Sequence, residues 1–183
     1  MATWTAATAI PTGQLITSSW MTNTVNAINF LGAAGGSTVA KDLFFARQGT
    51  GQALTVTTGN VLTFGGEDFD TANGHSTATN TSRYTVQAAG KYRLTGGVAI
   101  PSSAAQQTVR AAFYKNGSAL SEAAKCYIAI SNVGFPQTIV MPTVYASLAV
   151  NDYIEIHAIP YAAGFTTEVT NSQSFFGVEW IGA

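Results

Sequence analysis

Charge is what this chain has least of. Charged residues fill 9 % of its 183 positions, about a third of the roughly 25 % usual in globular proteins. Low hydrophobicity with high net charge would mark disorder. Here apolar residues reach 46 % and the formal net charge is −1, so the chain folds. Its length allows one ordinary domain with an appendage and a sizeable core. The exterior is then left to Thr, Ser, Asn, Gln and Gly. Such a surface repels weakly and suits a subunit whose faces are covered by copies of itself or by a larger assembly. The Lys and Arg side chains form no tight cluster of the kind a phosphate backbone requires, which argues against a nucleic-acid groove.

Cysteine and histidine are nearly as scarce. The lone Cys126 excludes an internal disulfide and a Cys-based zinc site, and within Lys125-Cys126-Tyr127-Ile128 it reads as a buried, inert thiol on a strand. The only histidines are His75 and His157, and no Gly-x-Ser-x-Gly elbow is present. His157 shares a strand face with Glu155 and Tyr153, which could orient an imidazole; the plainer reading is a surface or interface histidine. His75 sits in a polar loop with no acid nearby. Gly90-Lys91 is followed by Tyr92 where a phosphate loop needs Ser or Thr. The expectation is a protein that is not an enzyme. Met1-Ala2-Thr3-Trp4-Thr5 lacks the basic n-region and apolar run of a secretory signal, and no window reaches a membrane span. A soluble protein made in a cytosol is expected.

The charges that exist are unevenly spread. Residues 1 to 125 hold every cation, whereas residues 126 to 183 hold only the acids Asp152, Glu155, Glu168 and Glu179. Antiparallel pairing within one subunit would bring the two sets together. The alternative is that residues 152 to 179 of one copy face residues 83 to 115 of another.

Organisation changes along the chain. Residues 1 to 16, with Pro11 and Gly13, read as an extended arm. Thr17, Ser18 and Ser19 can cap a helix in which Trp20, Met21, Val25, Ile28 and Leu31 form one apolar stripe. About four turns long, it is too short to be stable alone and must pack on something. Residues 1–31 are therefore expected to form an arm and anchoring helix. Residues 32–41, which contain Gly32-Ala33-Ala34-Gly35-Gly36-Ser37, form a flexible joint. From 42 to 183 the signals are those of β structure. Tyr92, Leu94, Val98 and Ile100 alternate with Lys91, Arg93, Thr95 and Ala99; Ile154, Ile156 and Ala158 oppose Tyr153, Glu155 and His157. Asn116-Gly117 marks a tight hairpin. Many short strands with no helical period between them predict an all-β sandwich or jelly roll.

Four of these segments, in their order and spacing, carry a resemblance. They are Gly90-x-Tyr92-x-Leu94, Phe113-Tyr114-Lys115-Asn116-Gly117, Leu148 through Glu155, and Ser174-Phe175-Phe176-Gly177. From about Leu43 to Gly182 the chain resembles the globular head of complement C1q and the tumour-necrosis-factor-like jelly rolls. The resemblance implies a ten-stranded C1q/TNF-like jelly roll that associates as a tight homotrimer around an aromatic-rich axis. The chain departs from that family in having no collagen-like Gly-x-y stem and few of its usual aromatics before Tyr84. At the other end, Trp4, Gly13-Gln14-Leu15-Ile16-Thr17, Trp20, Asn23 and the helix closing at Leu31 resemble the short N-terminal segment of tailed-phage virion proteins. That resemblance implies a phage particle, with Trp4, Ile16, Trp20, Met21, Val25, Ile28 and Leu31 as the anchoring residues.

Two patches invite a test for ligands. Glu67-Asp68-Phe69-Asp70-Thr71-Ala72-Asn73-Gly74 offers oxygen donors for calcium, but counted from Asp68 it has Ala72 at the fifth position and Thr79 at the twelfth. A solvated turn is the simpler expectation, with an irregular calcium site as the alternative. The late aromatics Tyr145, Tyr153, Tyr161, Phe165, Phe175, Phe176 and Trp180 are expected mainly in the core and along a trimer axis. Tyr161 and Phe165 in Pro160-Tyr161-Ala162-Ala163-Gly164-Phe165 would instead be exposed on a distal loop and stack on a bacterial surface glycan. The sequence thus predicts a noncatalytic phage structural protein. It would be made in the host bacterial cytoplasm and built into the virion on a capsid or tail protein as a trimeric capsid decoration or head fibre. A tail fibre or a free carbohydrate- or protein-binding module is the alternative.

Overall fold

The structure is a computed structural model that describes residues 42–101, 107–121, 125–130, 135–162, 165–170 and 173–182. They lie within the second of two compact units into which the chain divides, Ala40–Ala183. The arm, anchoring helix and joint expected over residues 1–41 lie outside the described residues.

Among the described residues there are twelve strands and no helix. In chain order they are β1 (Leu43–Arg47), β2 (Asn60–Val61), β3 (Gly66–Asp70), β4 (Arg83–Thr85), β5 (Gly90–Ile100), β6 (Gln107–Lys115), β7 (Ser118–Ala119), β8 (Lys125–Ile130), β9 (Gln137–Val140), β10 (Val144–Leu148), β11 (Tyr153–Pro160) and β12 (Phe175–Gly182). The first sheet runs β10-β5-β12-β1-β3, and β9 continues the β10 edge along the far end of β5. The second runs β2-β11-β6-β7, with β4 also on β11 and β8 also on β6. All pairings are antiparallel. From β1 to β6 each strand lies in the sheet opposite to its predecessor, the winding that makes a jelly roll.

The alternation read in β5 determines which face it buries. Tyr92 and Leu94 point into the sandwich while Lys91 and Arg93 stay exposed. Phe176 ties the two sheets together: its ring meets Phe44 edge-on at 5.3 Å, Phe64 at 5.5 Å and Phe113 at 6.4 Å. All four rings are fully buried. Truncating Phe176 to alanine would cost about 3–5 kcal/mol. The hairpin signal also holds. Asn116 (φ 51°) and Gly117 (φ 77°) both occupy the left-handed region that a two-residue turn between β6 and β7 requires.

Pairing within one subunit accounts for the uneven charge. Glu179 and Arg93 are register partners and form an ion pair. Asp152 lies 2.7 Å from Lys115, and Glu155 is the register partner of Arg83. One expectation fails on β11. Instead of a half-buried strand, every residue from Ile154 to Pro160 is buried, including Glu155 and His157. The outward face is covered because the Tyr114 ring stacks on His157 at 3.7 Å and 8°. Gly59 also packs there, close enough that a Cβ on it would stand 3.1 Å from His157 Nδ1.

Candidate functional site

Each sheet presents an outward face, and the two differ in chemistry. On the first sheet, pairing places Phe69 opposite Phe45, Phe45 opposite Gly177, Phe175 opposite Gly97, and Gly97 opposite Val140. Directly paired residues share a face, so these form an aromatic and aliphatic band across five strands. Phe45 lies 6.1 Å from Phe69 and 5.8 Å from Phe175. Phe69 is 44 % exposed and Val140 67 %. Tyr145, 66 % exposed, extends the band beside its register partner Arg93. Exposed apolar bands are a feature of interaction surfaces in general.

Sequence reasoning missed half of this face. The segment before Tyr84, read as poor in the expected aromatics, supplies Phe44 and Phe64 to the core and Phe45 and Phe69 to the band. The signal was present in Leu43-Phe44-Phe45, where neighbouring aromatics on a strand must point to opposite faces.

The second sheet carries the ligand candidates. Tyr161 is 48 % exposed. Phe165 is not on a distal loop: it is buried in the core, and the stretch around it is held to residues 51–54. The Leu54 N–H donates to the Phe165 carbonyl at 2.9 Å, Ala53 bridges Thr166, and this pairing turns the ring inward. Arg110 stands where Phe165 was expected to matter. It is the register partner of Ile159 on β11 and of Tyr127 on β8, and its Nη2 lies 3.5 Å from the Tyr114 hydroxyl. The Tyr161 N–H donates to the Thr108 carbonyl at 3.0 Å, so Tyr161 follows the end of β11 alongside β6.

Both histidines are committed to the protein. His157 Nε2 lies 3.2 Å from Glu155 Oε2, and Glu155 also accepts from the Ser82 hydroxyl at 3.3 Å. Burial lowers the His157 pKa from its ordinary value, against the opposing pull of Glu155. Of the surface or interface reading of His157, the surface placement is corrected by this burial. Each ring nitrogen of His75 faces a backbone carbonyl at 2.9 Å, one from Arg83 and one from Phe64. Cys126 is half-buried and packs against the core.

The acidic segment at 67–74 is a solvated turn only in its second half: its first four residues lie in strand β3, and a bend follows in which Thr71 and Asn73 are exposed. Asp68 accepts two bonds from the Arg47 guanidinium, at 2.9 and 2.5 Å. Asp70 accepts from the backbone N–H of Ala72 and His75, at 3.2 and 2.7 Å. Asp68 and Asp70 are thus held by separate sets of donors. Among the described residues no cluster of three or more His, Cys, Asp or Glu side chains could hold a metal ion.

No protein-family model and no curated protein matches the sequence. Among solved structures, murine APRIL at pH 5.0 is 12 % identical over 76 % of this chain and 98 % of its own, with a TM-score of 0.53. Murine APRIL at pH 8.5 is 10 % identical over the same shares, with a TM-score of 0.54. The globular domain of zebrafish complement 1qA aligns at 12 % identity over 76 % of this chain and 97 % of its own, with a TM-score of 0.49. At these identities the APRIL likeness establishes the fold alone, and the described residues form a C1q/TNF-like jelly roll.

Proposed function

We propose that this chain is a noncatalytic structural protein of a tailed-phage particle. It is a homotrimer that serves as a capsid decoration or head fibre, anchored through residues 1–31 with the jelly roll outward. The observation that carries the self-association is the band of Phe69, Phe45, Phe175 and Val140 on the first sheet. Burying such a surface removes apolar area from water at about 25 cal/mol per Å², with the Arg93–Glu179 and Arg47–Asp68 ion pairs at its margins. The noncatalytic reading is supported by the two histidines, whose partners are backbone carbonyls or a carboxylate and not a nucleophile. Attachment rests on the sequence of the first thirty-one residues.

Sedimentation equilibrium of the full chain tests the assembly. The expected mass is three times the 19.0 kDa of one chain, falling to one chain in Val140→Asp or Phe69→Ser with the circular dichroism unchanged. A wild-type monomer at micromolar concentration would overturn it. For attachment, deleting residues 1–31 should leave the trimer intact and abolish co-sedimentation with phage particles. A tail-fibre or free receptor-binding role is the second reading, favoured by the exposed Tyr161 and Tyr127 rings on the other sheet.

A further inference from the structure

Arg110 occupies a setting unlike those of Arg47 and Arg93. Arg47 closes on Asp68 and Arg93 on Glu179. Arg110 pairs with no carboxylate among the described residues: Glu155, an acid on the same face, is held by His157 and Ser82. Arg110 Nε is buried with no acceptor among the described residues. The neighbours of the guanidinium are phenols. Burial opposes its charge, and a hydrogen bond to Tyr127 works against that burial, with Tyr114 and Tyr161 close by.

The local sequence builds this arrangement. Two residues along β6 from Arg110 lies Ala112, on the same face and 1 % exposed. Its small side chain lets the guanidinium extend along the strand toward the Tyr114 hydroxyl. Tyr114 is fixed by its stacking on His157. Lys125 is the register partner of Ala112 and adds a second cation to the face. Tyr127 and Tyr161, 55 % and 48 % exposed, present their rings to solvent around Arg110. A guanidinium held in position with no carboxylate of its own among the described residues matches a planar carboxylate through two parallel N–H donors. Exposed tyrosines supply flat apolar faces with polar tips. One or two cations are too few for a polyanionic nucleic acid.

We propose that this face binds an acidic saccharide, with the carboxylate of a uronic- or sialic-type sugar on Arg110 and a sugar ring stacked on Tyr161 or Tyr127. The site lies on the sheet opposite to the self-association band and does not depend on it. It gives the second reading of the function a ligand class. Sedimentation reads the assembly separately, so failure of either idea leaves the other standing.

The test is isothermal titration of the full chain with oligogalacturonate and oligosialic acid, set against carboxyl-reduced oligogalacturonate and dextran oligomers. At least one acidic probe should bind, and its neutral counterpart should bind about tenfold or more weakly. Arg110→Gln should lose the acidic probe to the same extent, while Arg110→Lys retains part of the binding. Tyr161→Ala should weaken binding and Tyr161→Phe preserve it. If Arg110→Gln melts early, Tyr127→Ala and Tyr161→Ala, both at exposed rings, carry the decision. Absence of binding to either acidic probe, equal binding of the neutral probes, or binding indifferent to these substitutions would overturn the assignment, including in favour of a protein contact on this face.

Discussion

A Cβ on Gly97 would stand 2.3 Å from Cε1 of Phe175, its register partner across β5 and β12. The missing side chain is what allows the Phe175 ring to lie over β5 and stack with Phe45. Gly177 does the same for the neighbouring ring, since a Cβ there would be 3.3 Å from Phe45 Cδ2. Two strand glycines, which cost stability on their own, are thus the floor beneath the aromatic band. Gly97→Ala should displace Phe175 and roughen the face without unfolding the sandwich. The expected outcome in sedimentation is a trimer dissociating at about tenfold higher concentration or more, with the far-ultraviolet circular dichroism retained. Assembly at wild-type strength would place the interface elsewhere.

The Tyr92 hydroxyl donates to the Asp42 carboxylate, and both side chains are buried. The same hydroxyl lies 2.6 Å from the Ala88 carbonyl, and the Gln87 N–H reaches Asp42 at 3.4 Å. Burial and the neighbouring carboxylate both push the Tyr92 hydroxyl pKa upward, so it remains a donor throughout the working range. Tyr92→Phe keeps the ring but leaves a buried acceptor short of a partner, at a cost of about 1–3 kcal/mol. Urea denaturation should show this as a lower midpoint at unchanged slope.

Asp152 draws two turns together. It accepts from Lys115 at 2.7 Å, from the Ala149 N–H at 2.8 Å and from Asn116 Nδ2 at 2.7 Å, and these bonds, led by that of Lys115, hold its carboxyl at about 2. The folded pKa lies below the unfolded value of 3.8. The stability this carboxylate contributes is therefore complete above about pH 4 and is lost as pH falls toward 2. A melting-temperature profile should decline across that window, and Asp152→Asn should both lower the plateau and flatten the decline.

The strands were legible where one face is wet. Tyr92 and Leu94 alternate with Lys91 and Arg93, and the Asn-Gly pair fixes a register, so β5 and the β6–β7 hairpin follow from period and turn chemistry alone. Alternation says nothing about which outward face is covered from the far side. Glu155 and His157 therefore read as surface residues although both are buried. Phe165 misled for a related reason: its neighbours Gly and Ala resemble a loop tip, whereas its partners at residues 51–54 are more than a hundred positions away. Arg110 gave no local sign, because the rings of Tyr127 and Tyr161 reach it only through pairing between β6, β8 and β11.

His157 connects the fold to the proposed ligand face, because its ring supports Tyr114 and its titration responds to both Glu155 and Arg110. Burial, the largest influence, depresses its pKa; the hydrogen bond and charge of Glu155 raise it, and the Arg110 charge lowers it. Since the folded state binds the proton less readily than the unfolded chain, this residue's contribution to stability is complete above about pH 6.5 and declines as pH falls below it. The decline ends once the folded-state pKa is passed. Glu155→Gln should move the titration of the His157 Cε1 proton, followed by nuclear magnetic resonance, to lower pH, and Arg110→Gln should move it to higher pH. A His157 that titrates at its ordinary value in all three proteins would mean that its ring is not packed between Tyr114 and β11, and the site built around Arg110 would lose its support.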